Sequence, residues 1–239
     1  MKREILYPEL ASIYGDAGNM MLFRQSCNNA VFRETGLEEE PWFVSEDVDF
    51  IYIGSMSEPK QLLVRDKLSQ YRDRIRELIE KGTVFLVTGN AMELFGQYIL
   101  DGNKKTEMLG IFDYHAERSF DKRLNYIVLA QFEDIRIVGV KSQFSVIKGI
   151  KDHHFLKMEK GLGDSINDED EGIYYRNFFV TYCLGPLLVY NPLFTEYLLK
   201  LCGQKGNVVF RDELMESYQE RLEKYRKPDS PVELGHGFI

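Results

Sequence analysis

Apolar positions in the first half of the chain fall into two alternating patterns: short β-rich runs, and longer polar stretches with helical spacing. Lys2–Tyr7 predicts a first strand, stopped by Pro8. Tyr14–Asn19 is turn-rich. Asn19 is placed to cap a helix from Met20 to Arg33, which carries Met21, Phe23 and Val31 and is closed by Gly36. Trp42-Phe43-Val44 predicts a second strand and Asp49–Ile53 a third, which runs into Gly54-Ser55-Met56-Ser57-Glu58. Pro59 opens a helix whose apolar residues Val64, Leu68, Tyr71, Ile75 and Leu78 step by four and three. Thr83–Val87 is then a buried strand, Thr88-Gly89-Asn90 a sharp turn, and Ala91–Phe95 the first turns of a helix. A strand–turn–helix of this kind presents functional groups above the carboxyl end of a strand in α/β proteins.

The alternation predicts an α/β fold with a mostly parallel sheet and helices on both faces. After residue 124 the pattern changes. Asn125–Ala130 and Ile135–Lys141 predict a hairpin about Phe132-Glu133-Asp134, Asp164–Gly172 an acidic loop, and Ile173–Tyr182 a further strand. Asn191-Pro192 starts a helix through Leu201, with Gly203 past its end. Asp212–Lys224 is a last amphipathic helix with Leu214, Tyr218 and Leu222 in one stripe, and the tail from Lys227 reads as mobile. No linker interrupts the chain, so one domain is expected. Residues 1–205 form its body, and 206–239 a helix and tail packed on or extending it.

Composition narrows the function. The chain has 239 residues, 44% of them hydrophobic, enough for one substantial core. A net charge of −8 argues against a nucleic-acid or anionic-membrane surface. The three cysteines, Cys27, Cys183 and Cys202, lack CxxC spacing and read as reduced thiols of a cytoplasmic protein. The N-terminal MKREILYPEL is no signal peptide, and no run is long and apolar enough to span a bilayer. The adjacent His153-His154 has no ligand partner at helical or hairpin spacing. The cluster Asp164, Asp168, Glu169, Asp170 and Glu171 lacks the EF-hand spacing, so no metal site and no cofactor is expected.

Several landmarks occur together and in order: Leu6-Tyr7-Pro8 with Tyr14-Gly15-Asp16-x-Gly18-Asn19; Tyr52-Ile53-Gly54 with Glu58-x-x-Gln61; the elbow Val87–Asn90; Leu109–Asp113; Gly161-x-Gly163 with Asp168-x-x-Glu171-Gly172; and Thr181-Tyr182-x-x-Gly185-Pro186-Leu187-Leu188 with Asn191-Pro192. From Leu6 to about Gly203 the chain resembles the class I glutamine amidotransferases of the CobB/CobQ type. Within them it is most similar to the GatD-type subunits that pair with a MurT-like Mur ligase to amidate lipid II. The resemblance implies a flavodoxin-like class I amidotransferase fold, glutamine as the pocket's ligand, and a cysteine–histidine couple at the elbow and before the late Gly-Pro.

Mapped residue by residue, the resemblance puts Thr88 at the nucleophile position and Leu184 at the histidine position. Asn90 stands where a glycine is usual, and Met92 where a glutamine is usual. The oxyanion turn is thinned to Gly54-Ser55-Met56, and Gly54, Ser55, Gly89 and Asn90 are the expected pocket residues. A threonine hydroxyl needs a strong adjacent base, which Leu184 cannot be, and a β-branched residue fits a strained elbow poorly. The reading is therefore a scaffold without glutaminase chemistry, a non-catalytic or regulatory partner of a MurT-like ligase. Two alternatives stand beside it. One is an active subunit with a rearranged nucleophile such as Cys183, although strand alternation turns Cys183 toward the core if Leu184 faces the pocket. The other is an amino-acid-sensing module. A partner from corrinoid biosynthesis is a further variant.

Overall fold

The computed structural model describes residues 1–235. In chain order it contains β1 (Lys2–Leu6), α1 (Asp16–Gln25), β2 (Val31–Thr35), α2 (Trp42–Ser45), β3 (Phe50–Ile53), α3 (Glu58–Ser69), α4 (Arg72–Lys81) and β4 (Val84–Thr88). A 3-10 helix, Gly89–Phe95, leads to β5 (Tyr98–Asp101), β6 (Lys104–Glu107), β7 (His115–Arg118), β8 (Leu124–Phe132), β9 (Ile135–Gln143), β10 (Ser145–Lys148), β11 (Leu156–Lys160) and β12 (Asp170–Glu171). The rest is β13 (Ile173–Tyr175), β14 (Phe178–Thr181), α5 (Leu187–Tyr190), α6 (Pro192–Leu201) and α7 (Arg211–Arg226).

The central sheet has the order β13-β14-β4-β3-β1-β2, parallel throughout except for β13 against β14. This is the doubly wound 2-1-3-4 arrangement, whose strand order reverses between β1 and β3, where such folds bind ligands. Strand alternation divides the core. Ile51, Ile53, Phe85 and Val87 face one side with Val64, Leu68 and Ile75 of α3 and α4. Phe50, Tyr52, Val84 and Leu86 face the other with Phe23 of α1 and Phe194 and Leu198 of α6. By that parity Thr88 belongs on the α1 side. The hairpin β8–β9 pairs around the two-residue turn Glu133-Asp134 and belongs to a four-stranded sheet, while β5, β6, β7 and β10 form another. Helix α7 lays Tyr218 and Leu222 against Leu129 and Val138 of the hairpin.

Several local expectations give way. The helix predicted over 20–33 ends at Gln25. Residues after the Cys27-Asn28-Asn29 turn, where Asn29 has φ 57°, form the β-branched strand β2. Asn19 lies inside α1 and caps nothing. Trp42–Val44 is one helical turn, started behind Pro41, and not a strand. The helix opened at Pro59 breaks at Gln70-Tyr71 into α3 and α4. Ile173–Tyr182 is two antiparallel strands, turned at Arg176 with φ 56°. Part of the tail is fixed: Ile127 N–H donates to Val232 O at 3.0 Å and Leu234 N–H to Asn125 O at 2.8 Å. The end of the tail, with His236, lies outside the described residues. No described helix is long and apolar enough to cross a membrane.

Candidate functional site

Segments leaving the carboxyl ends of β1, β3, β4 and β14 meet around one cavity of about 220 Å3, lined by Tyr14, Ser55, Met56, Asn90 and Leu184 and closed by Arg123 and Gln143 from beyond the sheet. The cavity sits at the reversal of strand order.

Thr88 does not face it. The residue is extended, with φ −120° and ψ 150°, and fully buried. Its hydroxyl donates to Asp16 Oδ1 at 2.9 Å and lies 3.0 Å from the Tyr52 hydroxyl. Tyr52 donates to the same Asp16 Oδ1 at 2.7 Å, Asn19 Nδ2 donates to Tyr52 at 3.0 Å, and Ser55 N–H donates to Asp16 Oδ2 at 2.7 Å. Burial raises the Asp16 carboxyl pKa, and the donors from Tyr52, Ser55 and Thr88 oppose that shift. The expectation that Thr88 occupies the nucleophile position is thus corrected. Strand parity sends its side chain to the rear of the site, into a structural network.

The residue at the elbow is Gly89, whose φ of 61° is the left-handed conformation glycine adopts freely. A Cβ on residue 89 would point into the gap between Ser55 and Leu184, 3.4 Å from Leu184 Cδ2 and only 2.1 Å from Ser55 Oγ. Position 89 therefore faces position 184, and the Ser55 hydroxyl already fills the space a side chain would take. The backbone donors of the turn are also engaged. Ser55 N–H is held by Asp16, and Met56 N–H donates to Asn90 Oδ1 at 3.0 Å while Asn90 Nδ2 donates to Met56 O at 2.7 Å. Gly54 makes a close approach: a Cβ there would lie 2.4 Å from Ala11 O and 3.0 Å from Asp16.

Met92 is fully buried and does not line the cavity; Glu93, one residue on, does. The Glu93 carboxylate is 1% exposed and is held by the Tyr182 hydroxyl and the Arg118 guanidinium. It also accepts from Gln61 Nε2 at 2.8 Å, while Gln61 Oε1 accepts from Arg118 at 2.7 Å. Nothing in the local sequence marks Arg118 or Arg123. They reach the site from β7 and the loop before β8, so only the tertiary fold reveals them. The register of the 3-10 helix, three residues per turn, is what brings Glu93 rather than Met92 to the front.

The other candidates lie elsewhere. Cys183 is buried on the opposite side from Leu184, about 3.9 Å from where a Gly139 Cβ would stand, and burial pushes its thiol up to about 12. Burial also raises Cys27 to about 11 and Cys202 to about 12. His115 stacks on Tyr98, His153 packs against Tyr175, and His154 lies 3.8 Å from Asp164. Among the described residues no cysteine or histidine lines the cavity, and no cluster is arranged to hold a metal.

Residues 4–191 match the family model of the CobB/CobQ-like glutamine amidotransferase domain. The chain belongs to this family. Among CobB/CobQ-like proteins it is similar to the GatD subunit of the lipid II isoglutaminyl synthase (glutamine-hydrolyzing) of Staphylococcus aureus strain N315. The two are 30% identical over 202 residues, 82% of each chain. It is 25% identical to the GatD subunit of Streptococcus pneumoniae strain ATCC BAA-255 / R6, covering 92% of this chain and 88% of that one. Its fold is shared with a glutamine amidotransferase crystal structure at TM-score 0.56 and 15% identity, covering 84% of this chain and 98% of that one. The Thermotoga maritima PurLQS structure aligns at TM-score 0.52 and 12% identity over 92% of this chain and 98% of that one. The CobB/CobQ-like chain thus has the class I amidotransferase fold, and the motifs Tyr14–Asn19 and Gly185–Asn191 interlock within it. Asn19 Oδ1 accepts from Leu188 N–H at 2.8 Å, and Asn191 bridges both backbone groups of Val138 at 2.8 Å.

Proposed function

We propose that this chain is a GatD-type subunit that does not hydrolyse glutamine and serves as a non-catalytic or regulatory partner of a MurT-like Mur ligase in peptidoglycan precursor amidation. One observation carries the reading: the elbow residue Gly89 faces Leu184 across the cavity floor, where amide hydrolysis requires a thiol facing an imidazole. The engagement of the Ser55 and Met56 N–H groups adds to it, because an oxyanion would have to displace Asp16 or Asn90 to reach them. The partner and the pathway come from the similarity to GatD subunits. In such a pairing the ligase draws on free ammonia while this subunit holds it in shape.

The test is ammonia release from glutamine by the purified chain, alone and with its ligase partner. No release in either sample, together with copurification of the pair, is the expected result. Turnover that is lost on Gly89→Ala would sink the reading. A rearranged nucleophile at Cys183 finds no support, since that thiol is buried away from the cavity with a raised pKa.

A further inference from the structure

We infer that the cavity beside Gly89 is a site for a free α-amino acid with a short side chain, which it binds and releases unchanged. The inference rests on the reading that the site no longer hydrolyses glutamine. Two polar atoms on residues that line the cavity are buried and without a hydrogen-bond partner: Ser55 Oγ, on a residue 0% exposed, and Gln143 Oε1, on a residue 3% exposed. Orphaned polar atoms of this kind carry a desolvation cost that a ligand relieves.

The charged groups define the ligand's ends. Arg123 at the mouth is held in place by donating to the Tyr14 hydroxyl at 2.9 Å and Ser142 Oγ at 3.3 Å, and its guanidinium lies 4.3 Å from the Phe144 ring centroid. Among the described residues it forms no ion pair, and both of its hydrogen bonds come from Nη1, which leaves the rest of the guanidinium to meet a carboxylate. Gln143 Oε1 is a pure acceptor, and Glu58 lines the same cavity without an ion-pair partner among the described residues. Both suit an ammonium group. Carboxylate and ammonium are the two charged groups of a free amino acid, and the small cavity favours the pair on one carbon.

The inner end sets side-chain length. The N–H groups that would meet a carboxamide oxygen are bonded within the protein, Ser55 Oγ occupies the space in front of Gly89, and Leu184 forms an apolar wall. What remains is one hydroxyl and a hydrocarbon surface, which match the side chain of serine or alanine. A cavity of about 220 Å3 is below the ~300–1,000 Å3 of drug-sized sites and fits a small metabolite.

Titration calorimetry of the full chain with L-serine, L-alanine and L-glutamine, each to about 10 mM, tests this, with ammonia measured in the same samples. The expected result is binding of L-serine or L-alanine at least tenfold tighter than L-glutamine, weakened at least tenfold by Arg123→Met. Glutamine binding as tightly as the short amino acids would overturn the proposal. So would no binding by any of the three, or an unchanged affinity in folded Arg123→Met. Ammonia release from glutamine would be a different failure, that of the underlying non-hydrolytic reading.

Discussion

The two faces of the β4 elbow differ sharply. In front, Gly89, Ser55 and Leu184 form a floor with no thiol and no imidazole. Behind, Asp16, Asn19, Tyr52 and Thr88 form a closed hydrogen-bond network in which Asp16 alone receives four donors, from Asn19, Tyr52, Ser55 and Thr88. The rear network fixes the loop after β1 and the turn after β3 to the end of β4, so losing it would cost the fold. The front groups contribute only chemistry, and their replacement leaves packing intact: Leu184 is 2% exposed and fills its place as a core residue would. The groups at the front can therefore vary without altering the shape, because different side chains on adjacent residues carry the two faces.

The largest expected effect comes from rebuilding the front. A thiol at position 89 collides with Ser55, and Asn90 holds a turn donor, so the variant needed is Ser55→Gly, Gly89→Cys, Asn90→Gly and Leu184→His together. A glutamine-analogue electrophile, with the adduct mapped by mass spectrometry, should label position 89 of this variant on the order of 100-fold faster than position 88 of Thr88→Cys, whose thiol would face Asp16. Faster labelling at position 88 would break the front-and-rear distinction.

The rear should dominate stability. Asp16→Ala removes the shared acceptor of the Ser55 N–H and of the Tyr52 and Thr88 hydroxyls in a fully buried site. It is expected to cost about 3–5 kcal/mol in denaturant unfolding. Leu184→His, at the front, is expected to cost about 1–2 kcal/mol. Equal losses would show that the two faces are not separable. Between them lies Glu93, buried and saturated by Arg118, Gln61 and Tyr182. Arg118→Met leaves that carboxylate without its cation and should cost about 3 kcal/mol by the same measurement.

The sequence made the rear of the site partly legible and the front misleading. Tyr14–Asn19 and Gly185–Asn191 stood out as motifs because loops with such composition carry close contacts, and Gly15 and Gly185 do pack their backbones together. The parallel sheet followed from strand–helix alternation. What sequence spacing could not give was the register at the elbow. The β-rich run ends in Thr88, a residue with a hydroxyl, and a hydroxyl attracts attention. Yet Thr88 shares the parity of Leu86 and Val84 and so faces α1. Glu93 meets Arg118 and Arg123 across some 25 residues of intervening chain, and no local pattern announces such a meeting. The helix expected from Met20 to Arg33 gives way for another reason: its last residues lie in β2, an edge strand of mixed polarity in which helical and alternating spacing coincide.

The smallest expected effect lies farthest from the elbow and extends the comparison to the buried charges beneath the acidic loop. Asp164 accepts from Gly172 N–H at 2.9 Å, and Glu171 pairs with Lys141 at 3.1 Å with both side chains fully buried. Burial, with the negative charge of Glu171 second, raises Asp164 to about 8. The folded chain thus holds a proton there that the unfolded chain releases near the ordinary carboxylate value of about 4. Between those two pH values the folded state binds more protons than the unfolded state, so this group's contribution to stability is full at low pH and declines as pH rises toward 8. Asp164→Asn keeps an acceptor for Gly172 and removes the titration. Its Tm should change less between pH 6 and pH 9 than that of the parent chain, by on the order of 5 °C. Identical slopes would show that Asp164 does not set the pH response of this loop.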